Sequence, residues 1–314
     1  MDEKTRSCTW DDFCRYLATL ADKDDFVLVA QEMDIDLGPL KDLPEDKMVI
    51  SSASDSNMIL NAAGLALSGK KPWVAGVSSR MLSRSYSQIR ESLAIPSLPV
   101  RIAVADGGLS CGEEGASKTM TEDLTLMRAI PNMSIAVPSD MNSVRGLVDS
   151  ANMAEGPVYL RLGQTPLAQL SNNEDEDFSF GGARLLREGT SVTVCTCGIM
   201  AHQALKAAEI LDQQGIDIEI LDCYSIKPFP EQTLLASVRR TGCCVVAEEH
   251  SSVGGLCGAT AECLCSTYPV PVRFVAIDDQ FVHSGNPEEL REYFGLTWKE
   301  IVNAAAQAWS LRRR

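Results

Sequence analysis

Short, unbroken apolar runs alternating with helix patterns constrain the fold of this chain more than any other feature. Phe26–Ala30, Trp73–Val77, Val100–Val104 and Ser134–Val137 are strand-like, and helix patterns lie between them over Met58–Leu67, Ser85–Leu93 and Asn142–Met153. An apolar run without polar alternation reads as a strand covered on both faces. When such strands are spaced by helices of about 10–15 residues, they form a mainly parallel sheet with helices on both sides. Thr9–Trp10 leads into an N-terminal helix, and Val158–Leu162 closes this first unit. A second unit repeats the alternation: strands at Ser191–Cys195, Ile218–Leu221, Cys244–Ala247 and Val272–Val275, helices near Ala201–Leu211, Glu231–Val238 and Gly255–Cys265. Between them Leu170–Asp177 is polar and strongly acidic, which suits a linker and not a core. The expected fold class is therefore α/β: two consecutive α/β domains with mostly parallel sheets, residues 1–168 and 186–314, joined by an acidic linker over 169–185.

Charge and composition exclude several functions. The 314 residues suffice for two domains that each bury a core, and the net charge of −15 leaves no basic stripe for a nucleic-acid backbone. Arg312–Arg314 reads as a solvated chain end. No apolar run reaches the ~18 residues of a membrane span, and Met1–Lys4 opens no secretion signal, so the expected compartment is cytoplasmic. The eleven cysteines are dispersed, without the paired spacing of a zinc site, and are expected to act as small hydrophobes, so no metal ligand set is expected.

Three motifs carry chemistry. Ser54-Asp55-Ser56-Asn57-Met58 runs into Ala62-Ala63-Gly64-Leu65-Ala66-Leu67-Ser68-Gly69-Lys70-Lys71-Pro72; a glycine-rich turn reads Gly107-Gly108-Leu109-Ser110-Cys111-Gly112-Glu113-Glu114-Gly115-Ala116; and Val246-Ala247-Glu248-Glu249-His250 precedes Gly254-Gly255. Together, and in this order, they resemble the C-terminal part of the transketolase family. The resemblance implies a thiamine-diphosphate-binding Pyr fold followed by the transketolase C-terminal domain. The family holds the cofactor's diphosphate and Mg²⁺ through a Gly-Asp-Gly motif followed by an Asn, and no Gly-Asp-Gly occurs here. The resemblance therefore implies a C-terminal subunit of a split enzyme. Thiamine diphosphate and Mg²⁺ would be held mainly by a separate N-terminal subunit, in a heterotetramer of two heterodimers.

The implied site departs from the family at several positions. Asp55 stands where the family has the Glu that hydrogen-bonds the aminopyrimidine and lets its amine take the thiazolium C2 proton. From the residues alone Asp55 is equally a helix cap. Val77 and Arg80 occupy the positions of aromatic rings that stack on the pyrimidine; Arg80 can stack its guanidinium or simply sit at the surface or in an ion pair. Glu32 falls where an acidic residue often lies near the cofactor. Asp106 and Lys118 replace two substrate-contacting histidines, Glu114 replaces an Asp that meets a substrate hydroxyl, and Gln164 replaces a phosphate-holding Arg. His250 suits an interface loop contact or a structural histidine; His202 and His283 read as structural or exposed. Three readings stay open: a ketol-transferring enzyme subunit acting on sugar-like substrates, a catalytically impaired scaffold or regulatory subunit, and a relative of 2-oxoacid dehydrogenase beta subunits.

Overall fold

The structure is a computed structural model that describes residues 6–31, 35–51, 54–171, 173 and 176–312. Its strands are β1 (Ser7–Cys8), β2 (Phe26–Ala30), β3 (Met48–Ile50), β4 (Lys71–Val77), β5 (Arg101–Val104), β6 (Ser134–Ala136), β7 (Val158–Arg161) and β8 (Pro166–Leu167), then β9 (Arg184–Arg187), β10 (Val192–Thr196), β11 (Ile218–Asp222), β12 (Ser225–Lys227), β13 (Cys244–Ser251) and β14 (Val272–Ile277). The expected α/β class is what forms. The first sheet has the order β12-β6-β7-β5-β4-β2-β3, parallel throughout except for β12. The second runs β14-β13-β10-β11-β9, with only β9 antiparallel.

Every residue of β2, β5, β7, β10 and β11 is buried, as continuous apolar strands require when both faces are covered. On one face of the first sheet Trp10, Phe13 and Leu17 of the helix Thr9–Thr19 pack with Leu28 and Trp73. On the other, Met58, Ile59, Ala62 and Ala66 of the helix Asp55–Leu67 join a cluster that continues without a break into Cys195, Val246, Leu256 and Cys257 of the second unit. The two halves thus share one apolar layer, and a third cluster fills the far face of the second sheet.

Two elements differ from the sequence expectation. The single helix expected over Ser85–Leu93 begins as Tyr86–Gln88 and widens into a π-helical stretch Ile89–Ala94, while a separate short helix Arg80–Arg84 precedes it. Ser85, at φ −112° and ψ 19°, leaves the helical region and divides them. The acidic segment is anchored where it is described: Asn142 Nδ2 donates to the carbonyls of Ser171 and Asn173, and Arg184 pairs with both Glu176 and Asp140. β12, which follows β11 of the second unit, adds to the first sheet beside β6.

One buried carboxylate closes the second unit. The helix Leu256–Thr267 starts at Gly255, which has no capping side chain, and Glu248 of β13 supplies the cap from a distance: its oxygens accept from Leu256 N (2.8 Å) and Cys257 N (2.6 Å). Glu248→Ala leaves both donors buried and unpaired, so it should cost about 1–3 kcal/mol, read as a lowered urea midpoint at unchanged slope. All eleven cysteines are free and nine are buried. Among the described residues no cluster of His, Cys, Asp and Glu is fit to hold a metal, and no helix is long and apolar enough to cross a membrane.

Candidate active site

In an open parallel sheet ligands bind outside the carboxyl ends of the strands, where outgoing connections diverge. Here β2 connects outward to β3 and β4 connects the other way to β5, although β2 and β4 are neighbours. The residues after these carboxyl ends are those the motifs single out: Asp55 after β3, Arg80 after β4, Asp106 after β5 and Gln164 after β7. Glu32, after β2, lies outside the described residues, as does the side chain of Val77, whose backbone ends β4.

A cavity of about 560 Å³ opens on this edge, lined by Arg80, Asp106, Glu114, Lys118 and Gln164. Five of the positions that the sequence points to therefore face one space, although they come from three separate segments. Asp55 does not line it. It is the first residue of its helix, and Ser54 does the capping through an Oγ that accepts from Asn57 N at 3.2 Å. The carboxylate of Asp55 lies instead 3.5 Å from Arg84 Nη1, with its side chain 17% exposed.

Asp106 is buried and braces two loops. Ser78 Oγ donates to it at 2.5 Å and Ser79 N at 2.6 Å, which ties the end of β5 to the segment after β4. Burial pushes its carboxyl above the usual carboxylate range, and the bonds from Ser78 and Ser79 partly counter this. Glu114 and Lys118 form a half-exposed ion pair across the glycine-rich turn. Gln164 N donates to Ser110 Oγ at 3.4 Å. Arg80 pairs with no carboxylate among the described residues, and its Nε is buried without a hydrogen-bond partner. The thiol of Cys111 lies among these groups. Burial and then Asp106 and Glu114 push it up to about 12, while Lys118 and Arg80 act in the opposite sense.

Glycines of the turn let the second unit approach. Gly108, at φ +63°, lies where a Cβ would run into Glu249 Oε2, and a Cβ on Gly112 would meet Leu290 and the carbonyl of Gly285. Glu249 is held by Arg291 at 3.2 Å. Beneath the turn Asp123 is fully buried, accepting from Tyr159 Oη (2.6 Å) and Arg161 Nε (2.8 Å), with His250 Nε2 3.8 Å away. Arg161 also donates to the carbonyl of Glu249 at 2.9 Å. His250 is fully buried and its Nδ1 bonds the carbonyl of Ser251, which places it between the two units and away from the cavity. His202 meets the carbonyl of Ser139, and His283 packs against Tyr293 at the surface.

Sequence reasoning missed several lining residues. Trp10, Asp11 and Asp36 enter from the N-terminal helix and the segment after β2, and Pro287 from the second unit. Ser78 adjoins Val77 and Arg80, so its neighbours were the available signal; for Asp11, Asp36 and Pro287 no local pattern points to a site.

One mostly parallel α/β domain followed by a second is the arrangement that the resemblance to the transketolase family implies. Family models agree: transketolase, pyrimidine binding domain matches residues 17–168 and transketolase, C-terminal domain matches residues 181–301. The chain belongs to the transketolase family. Over 252 residues it is 41% identical to the 6-deoxy-6-sulfo-D-fructose transketolase subunit SqwH of a Clostridium species, covering 80% of this chain and 78% of that one. It is 33% identical over 267 residues to one of the subunits of the apulose-4-phosphate transketolase from Phocaeicola vulgatus, covering 85% of each. A solved structure described as a split gene transketolase, inactive beta4 tetramer, superposes with a TM-score of 0.88 at 34% identity, over 98% of this chain and all of that one. Membership in the family makes this a transketolase-like chain of a thiamine-diphosphate-dependent group.

Proposed function

We propose that this chain is the C-terminal subunit of a two-subunit, thiamine-diphosphate-dependent enzyme that transfers a two-carbon ketol unit between sugar-like substrates. The observation that carries the reading is the convergence of Arg80, Asp106, Glu114, Lys118 and Gln164 on one cavity at the carboxyl edge, with a carboxylate, Asp55, retained on the same edge. When bound, thiamine diphosphate supplies the carbon nucleophile and electron sink that ketol transfer needs. The donor set fits one end of that cofactor. Asp55, outside the cavity and paired with Arg84, can offer its carboxylate to an aminopyrimidine once it leaves that contact, whereas one unpaired cation, Arg80, beside a Lys118 already tied to Glu114 is too few for a diphosphate. The diphosphate and Mg²⁺ are then the task of the N-terminal subunit. Eleven free thiols suit the reducing conditions of the cytoplasm.

Calorimetric titration of the purified chain with thiamine diphosphate and Mg²⁺ should accordingly give weak binding, and mass measurement on the co-expressed pair should give two copies of each subunit. Tight stoichiometric binding by the chain alone, or a stable monomer that ignores its candidate partner, overturns the split-site reading. A second reading, a non-catalytic scaffold, is favoured by one specific observation: Asp55, Asp106, Glu114 and Lys118 all have partners within the chain. Ketol transfer by the assembled complex decides between them.

A further inference from the structure

Among the described residues the cavity holds one cation without an acidic partner. Lys118 is tied to Glu114, and Gln164, which also lines the cavity, has no charge. Arg80 forms no ion pair among the described residues and buries its Nε with no hydrogen-bond acceptor. A buried, unpartnered donor on a guanidinium is a cost unless something completes it. Five carboxylates share the described lining, yet none lies within ion-pairing distance of Arg80; Asp106, the most buried of them, is already engaged by Ser78 and Ser79. Arg80 also faces the same space as Asp106, Glu114 and Gln164, while Asp55 faces Arg84 outside it.

We infer that Arg80 holds the anionic end, phosphate or carboxylate, of the sugar-like substrate, a task for which Gln164 has no charge. The planar guanidinium fork matches two oxygens of either group, and the acidic lining leaves Arg80 as the place in the described cavity where an oxyanion is attracted. Glu114 and Asp106 then face the hydroxyl-bearing part of the same molecule. This assignment rests on the reading of the chain as an enzyme subunit.

The test uses the complex assembled with its N-terminal subunit and three matched acceptors: an aldose phosphate, the same aldose carrying a carboxylate, and the unsubstituted aldose. Arg80→Met should lower kcat/KM about 10–100-fold for the anionic acceptors and less than about threefold for the neutral one, with Arg80→Lys in between. The ratio of the two anionic acceptors in the unmodified complex tells phosphate from carboxylate. Equal losses on all three acceptors, or a loss confined to thiamine diphosphate affinity, as stacking on the pyrimidine would give, overturns the assignment. If the complex turns nothing over, the enzyme reading fails separately, and titration with inorganic phosphate and with acetate still decides Arg80. Binding of either anion that weakens about tenfold or more in Arg80→Met upholds it, and anion binding that is absent or unchanged by the substitution overturns it.

Discussion

Asp55→Asn, in the assembled complex with thiamine diphosphate bound, should slow exchange of the cofactor C2 proton by about 10²–10⁴-fold, the range for loss of a positioned proton-transfer group. The substitution keeps size and removes the ability to accept a proton. It leaves the helix intact, because Ser54 and not Asp55 is the cap, so a fall in exchange cannot be blamed on a frayed helix start. The pair with Arg84, whose side chain is 59% exposed, is worth less than about 1 kcal/mol, and the melting temperature should barely move. Asp55→Glu adds one methylene of reach and should preserve or raise exchange. NMR of deuterium loss at C2 reads all three proteins. Exchange that stays at the solution rate in each, with both subunits assembled and cofactor bound, removes the catalytic role and leaves the scaffold reading.

The largest stability effect is expected at Asp123. Asp123→Ala strands the fully buried Arg161 without its carboxylate and Tyr159 without its acceptor, so it should cost about 3–5 kcal/mol, the range for breaking a buried pair from one side. Replacing the ion pair as a whole with apolar groups should cost far less, since an unpaired buried charge is the source of the penalty. The same site predicts a pH response. Burial alone would push the Asp123 carboxyl up, but Arg161 and then His250 reverse this and hold it below the usual carboxylate range. A carboxylate depressed in the folded state contributes stability that is complete above its unfolded value, about 3.9, and is lost as pH falls through the lower folded value. Urea midpoints from pH 7 down to about pH 3 should therefore fall most steeply below about pH 4, and Asp123→Ala should flatten that limb. A substitution costing under about 1 kcal/mol would mean that Arg161 finds other acceptors.

The long apolar strands and their helices are legible because burial on both faces leaves a pattern that needs no tertiary knowledge. β3 is not: three residues, Met48–Ile50, with Ile50 half exposed, carry too little signal. β12 is unreadable for another reason, since Ser225–Lys227 becomes a strand only when β6 is beside it. The site divides similarly. Glycine-rich spacing and the resemblance bring Arg80, Asp106, Glu114, Lys118 and Gln164 forward, and they line one cavity. What each does there is not legible. The brace from Asp106 to Ser78 and Ser79 depends on how two parallel strands end, and the contact of Gly108 with Glu249 joins residues that sequence distance separates widely. Asp55 stands between cap and catalyst in the sequence, and only the geometry at Ser54 assigns the cap.

The antiparallel addition of β12 to β6 has a consequence for the way this chain is divided. Family boundaries put Ser225–Lys227 in the second module, yet its hydrogen bonds complete the sheet of the first. A gene fragment ending at residue 168 would encode a sheet with an unpaired rim, open to any strand that arrives, including that of another copy. The reciprocal fragment would carry a strand with no sheet. The loan runs one way, since every strand of the second sheet comes from the second unit, so it is the first half that depends on the second to finish its edge.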